Sequence, residues 1–334
     1  MKMMTYAEGI REGMSIRMRE DPNVILFGED VGKFGGCFGV SMGMFDEFGP
    51  ERVRDTPISE GAIIGCAVGS AATGLRPIAE LMFCDFLTVG MDQLVNQAAK
   101  MCYMSGGKVH IPMVMRAPCG ATNRGAQHAQ SLESYFIHVP GMKVICPSTP
   151  YDAKGMMKQA IRDDNPVLVF EHKLLYGGSR KEKDAIKTSG EVPAEDYTVE
   201  FGKAAVRREG TDVTIVANLL MSYRAQEAAK ILEKEGISCE VIDPRSLLPF
   251  DYETVEASVK KTGKLMIVHE DTYTGGWGAQ VAAHFAEHNI FDLDAPVKIV
   301  AAYDTPIPFA SPMENFVIPS TERITEAARE LARF

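Results

Sequence analysis

The chain has 334 residues, of which 46% are hydrophobic, and a formal net charge of −10 from 35 Lys and Arg against 45 Asp and Glu. At about 150 residues per domain, this length predicts two domains with real cores. The acidic balance and the lack of a long basic run argue against a nucleic-acid partner, because binding to phosphates needs clustered Lys and Arg.

Hydrophobic periodicity in the first half of the chain predicts strands that alternate with helices. In chain order, we expect a helix over 5–19, a strand over 24–27, a glycine-rich loop over 32–44, a helix over 61–75, a strand over 77–82, a helix over 89–104, a strand over 111–115, a loop over 117–130, a strand over 143–146, a helix over 150–163 and a strand over 167–170.

A polar, charged stretch over 177–200 predicts a linker, and a second alternation follows it. We expect strands over 213–217, 239–242, 265–268 and 297–300, and helices over 222–235, 251–261, 278–288 and 320–333. This order predicts an α/β protein with two doubly wound domains, which we place at 1–180 and 201–334 with a linker over 181–200.

The cysteines and the apolar runs of the sequence indicate the cellular compartment of the chain. The seven cysteines are scattered without a C-x-x-C pair, which predicts reduced thiols and no zinc ribbon. The longest uncharged apolar run, 61–75, is too short and too rich in glycine to span a bilayer. The segment MKMMTYAEGI has no signal-peptide core. We therefore expect a cytoplasmic chain with no membrane partner.

The segment DTPISE (55–60) places Glu60 directly before an uncharged helix. A helix that is apolar all round is normally buried, so Glu60 is expected where water is scarce. A carboxyl group there has a raised pKa unless it is paired, and the partner is either a Lys or Arg of the chain or a ligand nitrogen. The alternative is an acid that merely suits the dipole of the first helical turn. This stretch alone does not separate the two.

Phosphate-binding motifs are missing from the sequence. It has no G-x-x-x-x-G-K-[ST] and no Gly-Asp-Gly followed by paired asparagines, which would bind magnesium and diphosphate. Gly276-Trp277-Gly278 begins like a dinucleotide fingerprint, but Val281 occupies the third glycine position and no strand directly precedes it. A nucleotide site there is not favoured.

The following residues are candidates for catalysis, metal binding or ligand stacking. His128, in the loop GAQHAQS, is a candidate acid or base, with a solvated loop histidine as the alternative. His284 and His288 have a spacing suitable for a metal, but without an H-E-x-x-H order a surface helix is favoured. Phe83 and Phe86 either stack on a flat ligand or pack in the core.

Taken together, a series of segments resembles one family. The segments are GEDV (28–31), DTPISE (55–60), GLRPIAE (74–80), DQLVNQAAK (92–100), YMSGG (103–107), AQHAQS (126–131), PGMKV (140–144), AIRDDNPVLVFE (160–171), VIDPRSLLPFD (241–251) and YDTPIPFA (303–310). In order and over nearly the full length, they resemble the β subunit of a thiamine diphosphate-dependent E1 component. Pyruvate, branched-chain 2-oxoacid and acetoin dehydrogenases share this subunit.

The resemblance implies an architecture and an activity. Residues 1–180 would form a pyrimidine-binding domain and 201–334 a transketolase C-terminal-type domain. An α2β2 assembly would hold thiamine diphosphate at the α/β interface, with the diphosphate and Mg²⁺ on the α subunit, which accounts for the missing motif. The enzyme would cleave a 2-oxoacid or acetoin and pass the acyl group to the lipoyl group of E2, which would dock on the C-terminal domain.

The resemblance also implies roles for single residues. Glu60 would hydrogen-bond N1′ of the aminopyrimidine, Phe86 would pack on that ring with Met82 lining the site, and His128 would be the active-site histidine. Ala129 departs from the serine that is more familiar after this histidine. A structural monovalent cation such as K⁺ would be held, mostly through backbone carbonyls, by Met113, Ala160, Ile161, Asp163 and Asn165.

Two alternatives remain open at this point. One is a self-sufficient transketolase-like enzyme, against which the missing diphosphate motif argues. The other is a non-catalytic scaffold subunit, against which the presence of Glu60, Phe86 and His128 together argues. The segments PSTPYDAKG, FEHKLLY and YDTPIPFA favour acetoin or branched-chain substrates over pyruvate, but the sequence does not identify the substrate.

Overall fold

The structure is a computed structural model that describes residues 1–177 and 188–334. Its internal contacts divide the chain into two units, the first comprising Met1–Cys119 and Tyr135–Phe201 and the second Gly120–Ser134 and Gly202–Phe334. The segment that carries His128 therefore belongs to the second unit, although it lies in the first half of the sequence. The linker expected over 181–200 lies partly outside the described residues, and the domain boundaries stay predictions.

The elements of the first half alternate between strands and helices, as the sequence predicts. In chain order they are β1 (Lys2–Met4), α1 (Tyr6–Glu20), β2 (Val24–Gly28), α2 (Met44–Phe48), β3 (Val53–Asp55), α3 (Glu60–Ala72), β4 (Arg76–Glu80), α4 (Met101–Met104), β5 (Val114–Cys119), α5 (Glu133–Ile137), β6 (Lys143–Ile145), α6 (Pro150–Arg162), β7 (Val167–His172) and β8 (Gly190–Val192).

The main sheet of the first unit is parallel. Its strands follow the order β6–β7–β5–β4–β2–β3, and the short strands β1 and β8 form a separate antiparallel pair. Gly28 at the end of β2 is the register partner of Glu80 at the end of β4, and Glu80 is the partner of Arg116 in β5. The carboxyl ends of these strands therefore share one edge, where ligands of open α/β sheets collect.

The second unit repeats the α/β plan around a smaller sheet. Its elements are β9 (Ala205–Arg208), β10 (Val213–Ala217), α7 (Leu219–Glu233), β11 (Cys239–Asp243), β12 (Ser246–Leu248), α8 (Tyr252–Thr262), β13 (Leu265–Thr272), α9 (Trp277–His288), β14 (Lys298–Ala302), α10 (Ser311–Val317) and α11 (Thr321–Leu331). The strand order is β14–β13–β10–β11–β9, and only the edge strand β9 is antiparallel to its neighbour. The predicted α/β fold class is confirmed.

The helix predicted over 89–104 is interrupted and mostly not α-helical. The chain forms a 3₁₀ helix (Cys84–Gly90), a π-helical stretch (Gln93–Ala98) and the short α4 instead. Gly90 lies so close to Ile64 of α3 that an added Cβ would come within 2.3 Å of it. Only a glycine therefore fits at position 90 on this path, and the periodicity of the sequence does not contain this contact. The strand expected over 111–115 is also displaced, since β5 begins at Val114.

The expectation that α3 is buried on all sides is wrong as well. Ala62, Cys66, Gly69 and Thr73 recur at helical spacing and are exposed, so they form one uncharged face, which we call the small-residue face. The opposite side of the helix is buried through Ile63, Ile64, Ala67, Val68 and Ala71. Since the sequence shows only that the helix is uncharged, it does not reveal which side the chain itself covers.

Candidate functional site

Glu60 is the first residue of α3 and is half-buried. The turn before it is attached to the sheet, because the backbone N–H of Thr56 donates to the carbonyl of Gly28 at the end of β2 (3.0 Å). The DTPISE turn therefore places Glu60 at the carboxyl edge of the parallel sheet. Both of the roles considered from the sequence, first-turn acid and site carboxylate, are compatible with this position.

Glu29, the residue after β2, provides a second carboxyl group near Glu60. Its side chain is only 5% exposed, and its Oε1 atom has no hydrogen-bond partner among the described residues. Burial and then the negative charges of Glu60 and Asp30 raise the pKa of Glu29. Since a buried carboxyl with an unpaired oxygen is costly, this position suits a ligand that supplies a polar group. The sequence located the segment GEDV but assigned no role to Glu29.

An aromatic wall follows β4. Met82 and Phe86 are half-buried, whereas Phe83 is buried and meets the edge of Phe86 with ring centroids 6.1 Å apart. Phe38, from the glycine-rich loop, packs on Phe83 at 5.9 Å. Phe83 is therefore a core residue that supports the wall, and Met82 and Phe86 remain partly accessible, as a ligand-lining role requires.

A buried ion network lies beneath this wall. The guanidinium of Arg116 donates through Nε and Nη2 to both carboxylate oxygens of Glu171 (2.8 and 2.7 Å) and through Nη1 to Glu80. The hydroxyl of Tyr176 also donates to Glu171 (2.8 Å), and the Tyr176 ring stacks on Phe38 (5.3 Å). The network joins β4, β5 and β7 to the glycine-rich loop. Its members are far apart in sequence, so no local pattern indicated it.

His128 is half-buried in the loop 120–134 of the second unit. Its neighbour Ala129 belongs to a buried apolar cluster with Ala121, Ala302, Ile307, Val317 and Ile318. The alanine that departs from the family pattern is thus a core residue of the loop. The structure places Glu60, Met82 and Phe86 in the first unit and His128 in the second.

The five residues considered for a monovalent cation lie around the end of α6. Four of the five carbonyls already accept hydrogen bonds. Met113 and Ala160 accept backbone N–H groups, and Nη1 of Arg76 donates to Ile161 (3.1 Å) and Asp163 (3.2 Å). The carboxylate of Asp163 accepts hydrogen bonds from Lys143 and Asn165. Positive charge is therefore already supplied there by the chain, and a bound K⁺ stays a prediction that the donor set does not specifically support.

The other metal and phosphate candidates have structural explanations. His284 donates or accepts at Glu256 (2.9 Å) and stacks on Tyr252, and within 1–177 and 188–334 no cluster of three or more His, Cys, Asp or Glu could hold a metal ion. Gly276 packs on His269, where an added Cβ would come within 2.4 Å. The glycines before α9 thus allow close packing, which accounts for them without a nucleotide.

The first unit fits the aminopyrimidine half of thiamine diphosphate. That ring system is flat and carries nitrogens that accept or donate protons. The first unit offers the half-buried Met82 and Phe86 after β4, and the carboxyl groups of Glu29 and Glu60 at the end of the neighbouring strand β2 and at the start of α3. The unpaired Oε1 of the buried Glu29 is the observation that agrees with a polar ligand.

The described part of the chain contains no helix with the length and hydropathy of a membrane span.

Comparisons with known proteins agree with this geometry. Residues 2–179 match the pyrimidine binding domain of transketolase, and residues 202–324 match the transketolase C-terminal domain. A solved structure described as a split gene transketolase, inactive beta4 tetramer, superposes with a TM-score of 0.78 over 99% of this chain and 98% of that chain, at 24% identity. This likeness confirms the fold.

Relatives that match over most of their length identify the family to which the chain belongs. The chain is 45% identical to the 2-oxoisovalerate dehydrogenase subunit beta of Bacillus subtilis, with complete coverage of both. It is 45% identical to the acetoin:2,6-dichlorophenolindophenol oxidoreductase subunit beta of Cupriavidus necator, over 96% of this chain and 95% of the relative. It is 43% identical to the mitochondrial pyruvate dehydrogenase E1 component subunit beta-2 of Oryza sativa, over 98% and 86%. The chain therefore belongs to the family of transketolase-like β subunits of 2-oxoacid and acetoin dehydrogenases.

Proposed function

We propose that this chain is the β subunit of an α2β2 E1 component that uses thiamine diphosphate to cleave a 2-oxoacid or acetoin and transfers the acyl group to lipoyl-E2. The observation that carries the proposal is the pair of carboxyl groups, Glu29 and Glu60, at the carboxyl edge of the parallel sheet, where the half-buried Phe86 follows the neighbouring strand β4. These are the groups that an aminopyrimidine needs, while phosphate-binding motifs are missing from the sequence.

Bound thiamine diphosphate supplies a carbon nucleophile and an electron sink. The chain's own part is to hold a proton at the N1′ position of the aminopyrimidine through the carboxyl group of Glu60. Glu29 is proposed to assist because burial, and then the negative charge of Glu60, raise its pKa, so the two carboxyl groups act on each other. Phe86 and Met82 orient the ring, and the uncharged α3 keeps the surroundings poor in water.

His128 is proposed to act in a later step. An imidazole in a loop is suited to proton transfer near neutral pH, and the family resemblance gives it a place beside the incoming lipoyl group. Its half-buried position in the second unit leaves the side chain accessible to a reactant. Since Glu60 and His128 belong to different units, they are proposed to serve different steps.

The proposed α partner is supported by the small-residue face of α3. Ala62, Cys66, Gly69 and Thr73 are exposed and uncharged, and Ile58 and Val89 nearby are 78% and 60% exposed. Apolar surface of this kind commonly marks an interface, and small side chains allow another chain to approach closely. The α subunit is proposed to cover this face and to bring the diphosphate and Mg²⁺ site. E2 is proposed to dock on the second unit.

The substrate remains a choice among family members. Relatives named for 2-oxoisovalerate, acetoin and pyruvate are 45%, 45% and 43% identical, so identity does not discriminate among them. A cytoplasmic location is proposed because the seven cysteines are scattered without a C-x-x-C pair, as expected of reduced thiols.

Calorimetry with thiamine diphosphate and magnesium tests the proposal. The purified chain is expected to bind weakly and turn nothing over, and addition of an α subunit is expected to produce tight binding and activity with one of the three substrates. Tight stoichiometric binding and turnover by the chain alone would support the self-sufficient enzyme instead. An α complex in which Glu60→Gln has full activity would support the scaffold alternative.

A further inference from the structure

The loop 120–134 lies on the second unit through contacts that local sequence does not explain. Gly120, Asn123 and Gly125 adopt positive φ angles of 91°, 57° and 74°, so the backbone turns sharply on the approach to His128. Such a path is strained for ordinary residues and persists only where its surroundings hold it. The buried cluster of Ala121 and Ala129 with residues of the second unit supplies part of that support.

Two buried glutamates supply the polar part of the support. Oε1 of Glu270, in β13, accepts the backbone N–H of Ala121 (2.5 Å), and Oε2 of Glu314, in α10, accepts the backbone N–H of Asn123 (2.7 Å). The two side chains are 7% and 3% exposed. Hydrogen bonds from backbone amides to a buried carboxylate are strong, because the acceptor is charged and shielded from water.

The charge of these glutamates is compensated within the second unit. Arg224 in α7 is half-buried, and the carboxylates of Glu270, Glu322 and Glu314 act electrostatically on its guanidinium. Arg224 also donates to the carbonyl of Pro319. A nearby cation stabilises the ionised form of a buried carboxylate. Ionised carboxylates are better acceptors for the loop amides than neutral carboxyl groups.

We propose that Glu270 and Glu314 are positioning residues that fix the His128 loop and thereby aim the imidazole for acyl transfer. The inference rests on the proposed role of His128. Neither glutamate needs to touch the reactants. Each holds one backbone N–H of the segment that precedes His128, at the place where the chain adopts its left-handed turns. Without these acceptors, the loop samples other conformations and the imidazole is misplaced.

Hydrogen–deuterium exchange of the full chain tests the positioning directly, without any cofactor. Loss of a buried, charge-assisted acceptor in Glu314→Ala or Glu270→Ala is expected to speed amide exchange in peptides spanning 120–128 by about tenfold or more. The amide oxygen of Glu314→Gln remains an acceptor, so this variant is expected to lie between Glu314→Ala and the parent. Glu322→Gln is the matched control, since Glu322 also acts on Arg224 but its hydrogen bonds are to its own helix rather than to the loop.

The second arm uses the reconstituted enzyme. Glu314→Ala is expected to lower lipoyl-dependent transfer about tenfold or more while C2 hydrogen exchange of the cofactor stays near the parent rate. In a His128→Ala background, Glu314→Ala is expected to cause little further loss, because the residue it positions is already absent. Independent, multiplicative losses in the double variant would overturn the proposal.

Unchanged exchange over 120–128 in both alanine variants would also overturn it. If an alanine variant fails to fold, Glu270→Gln and Glu314→Gln decide, since loop exchange equal to that of Glu322→Gln in both would refute positioning. The failure of the proposed function is a separate result. Normal lipoyl transfer in His128→Ala would contradict the proposed role of His128. Whether Glu270 and Glu314 hold the loop would still be decided by the hydrogen–deuterium exchange measurement.

Discussion

The charge of Glu60 raises the pKa of Glu29, so two acidic residues that are 31 positions apart in the sequence act on each other at one edge of a parallel sheet. β2 delivers Glu29 at its carboxyl end, and the DTPISE turn, attached to Gly28 through Thr56, delivers Glu60. The pair gives the candidate site its acid–base character before any partner or cofactor is added.

Replacing Glu60 tests the first step of the proposed reaction. Glu60→Gln keeps the shape and a hydrogen bond but cannot hold the acidic proton at N1′. In reconstituted enzyme it is expected to slow C2 hydrogen–deuterium exchange, without substrate, by about 10²–10⁴-fold, the usual loss for a positioned acid or base. Exchange at the parent rate, with folding verified by thermal melts, would contradict the central role of Glu60.

Replacing His128 is expected to separate the later step from the first. His128→Ala should leave C2 exchange nearly intact and should impair the lipoyl-dependent reaction far more than decarboxylation with an artificial electron acceptor. The physical reason is that the two residues lie in different units and handle different protons. If both assays fall equally in this variant, His128 serves substrate binding or an earlier proton step instead.

The coupling between Glu29 and Glu60 is measurable in the chain alone. Burial raises the pKa of Glu29, and the charge of Glu60 raises it further. Glu60→Gln removes the second cause only, so the pKa of Glu29 is expected to fall but to stay above its usual value, as followed by carboxyl-carbon NMR. The control is Glu12→Gln, which changes a charge on α1 that does not act on Glu29. An unshifted Glu29 in the Glu60 variant would show that the carboxyl groups are uncoupled.

The raised pKa of Glu133 predicts that the stability of the fold depends on pH. Burial, followed by the charges of Asp271 and Glu270, raises its pKa from 4.5 to about 8. Between these values the folded chain retains a proton that the unfolded chain releases, so stability falls as pH rises from about 4.5 to about 8. Glu133→Gln removes this slope, and its advantage in Tm over the parent is expected to grow across that window by about 2–4 °C or more. A constant difference in Tm from pH 4.5 to 8 would contradict the raised pKa.

Removing the buried Arg116 is expected to destabilise the fold far more than removing an exposed arginine. Arg116→Met leaves the buried carboxylates of Glu80 and Glu171 without their cation and is expected to lower the free energy of unfolding by about 3–5 kcal/mol. Arg54→Met, which breaks an exposed pair with Glu51, is the control and should cost less than about 1 kcal/mol. Denaturant unfolding of both variants measures this, and equal small losses would show that the network contributes little.

The alternation of strands and helices, the missing phosphate motif and the family-specific segments were all readable from the sequence, because they depend on local periodicity and residue order. The positions of Glu60, Met82 and Phe86 after specific turns and strands could be predicted for the same reason. The roles assigned to these residues and to His128 stay predictions until the variants are measured.

Tertiary structure alone decided the rest. Periodicity predicted one helix over 89–104, whereas the chain forms a π-helical stretch and the short α4 there and brings Gly90 against Ile64 of α3. An uncharged sequence did not show which side of α3 the chain leaves exposed. The Arg116 network and the acceptors of the His128 loop include pairs that are far apart in the sequence, such as Arg116–Glu80 at 36 positions and Asn123–Glu314 at 191 positions. Such partners are chosen by strand order and by the packing of one element on another, which no local pattern of residues encodes.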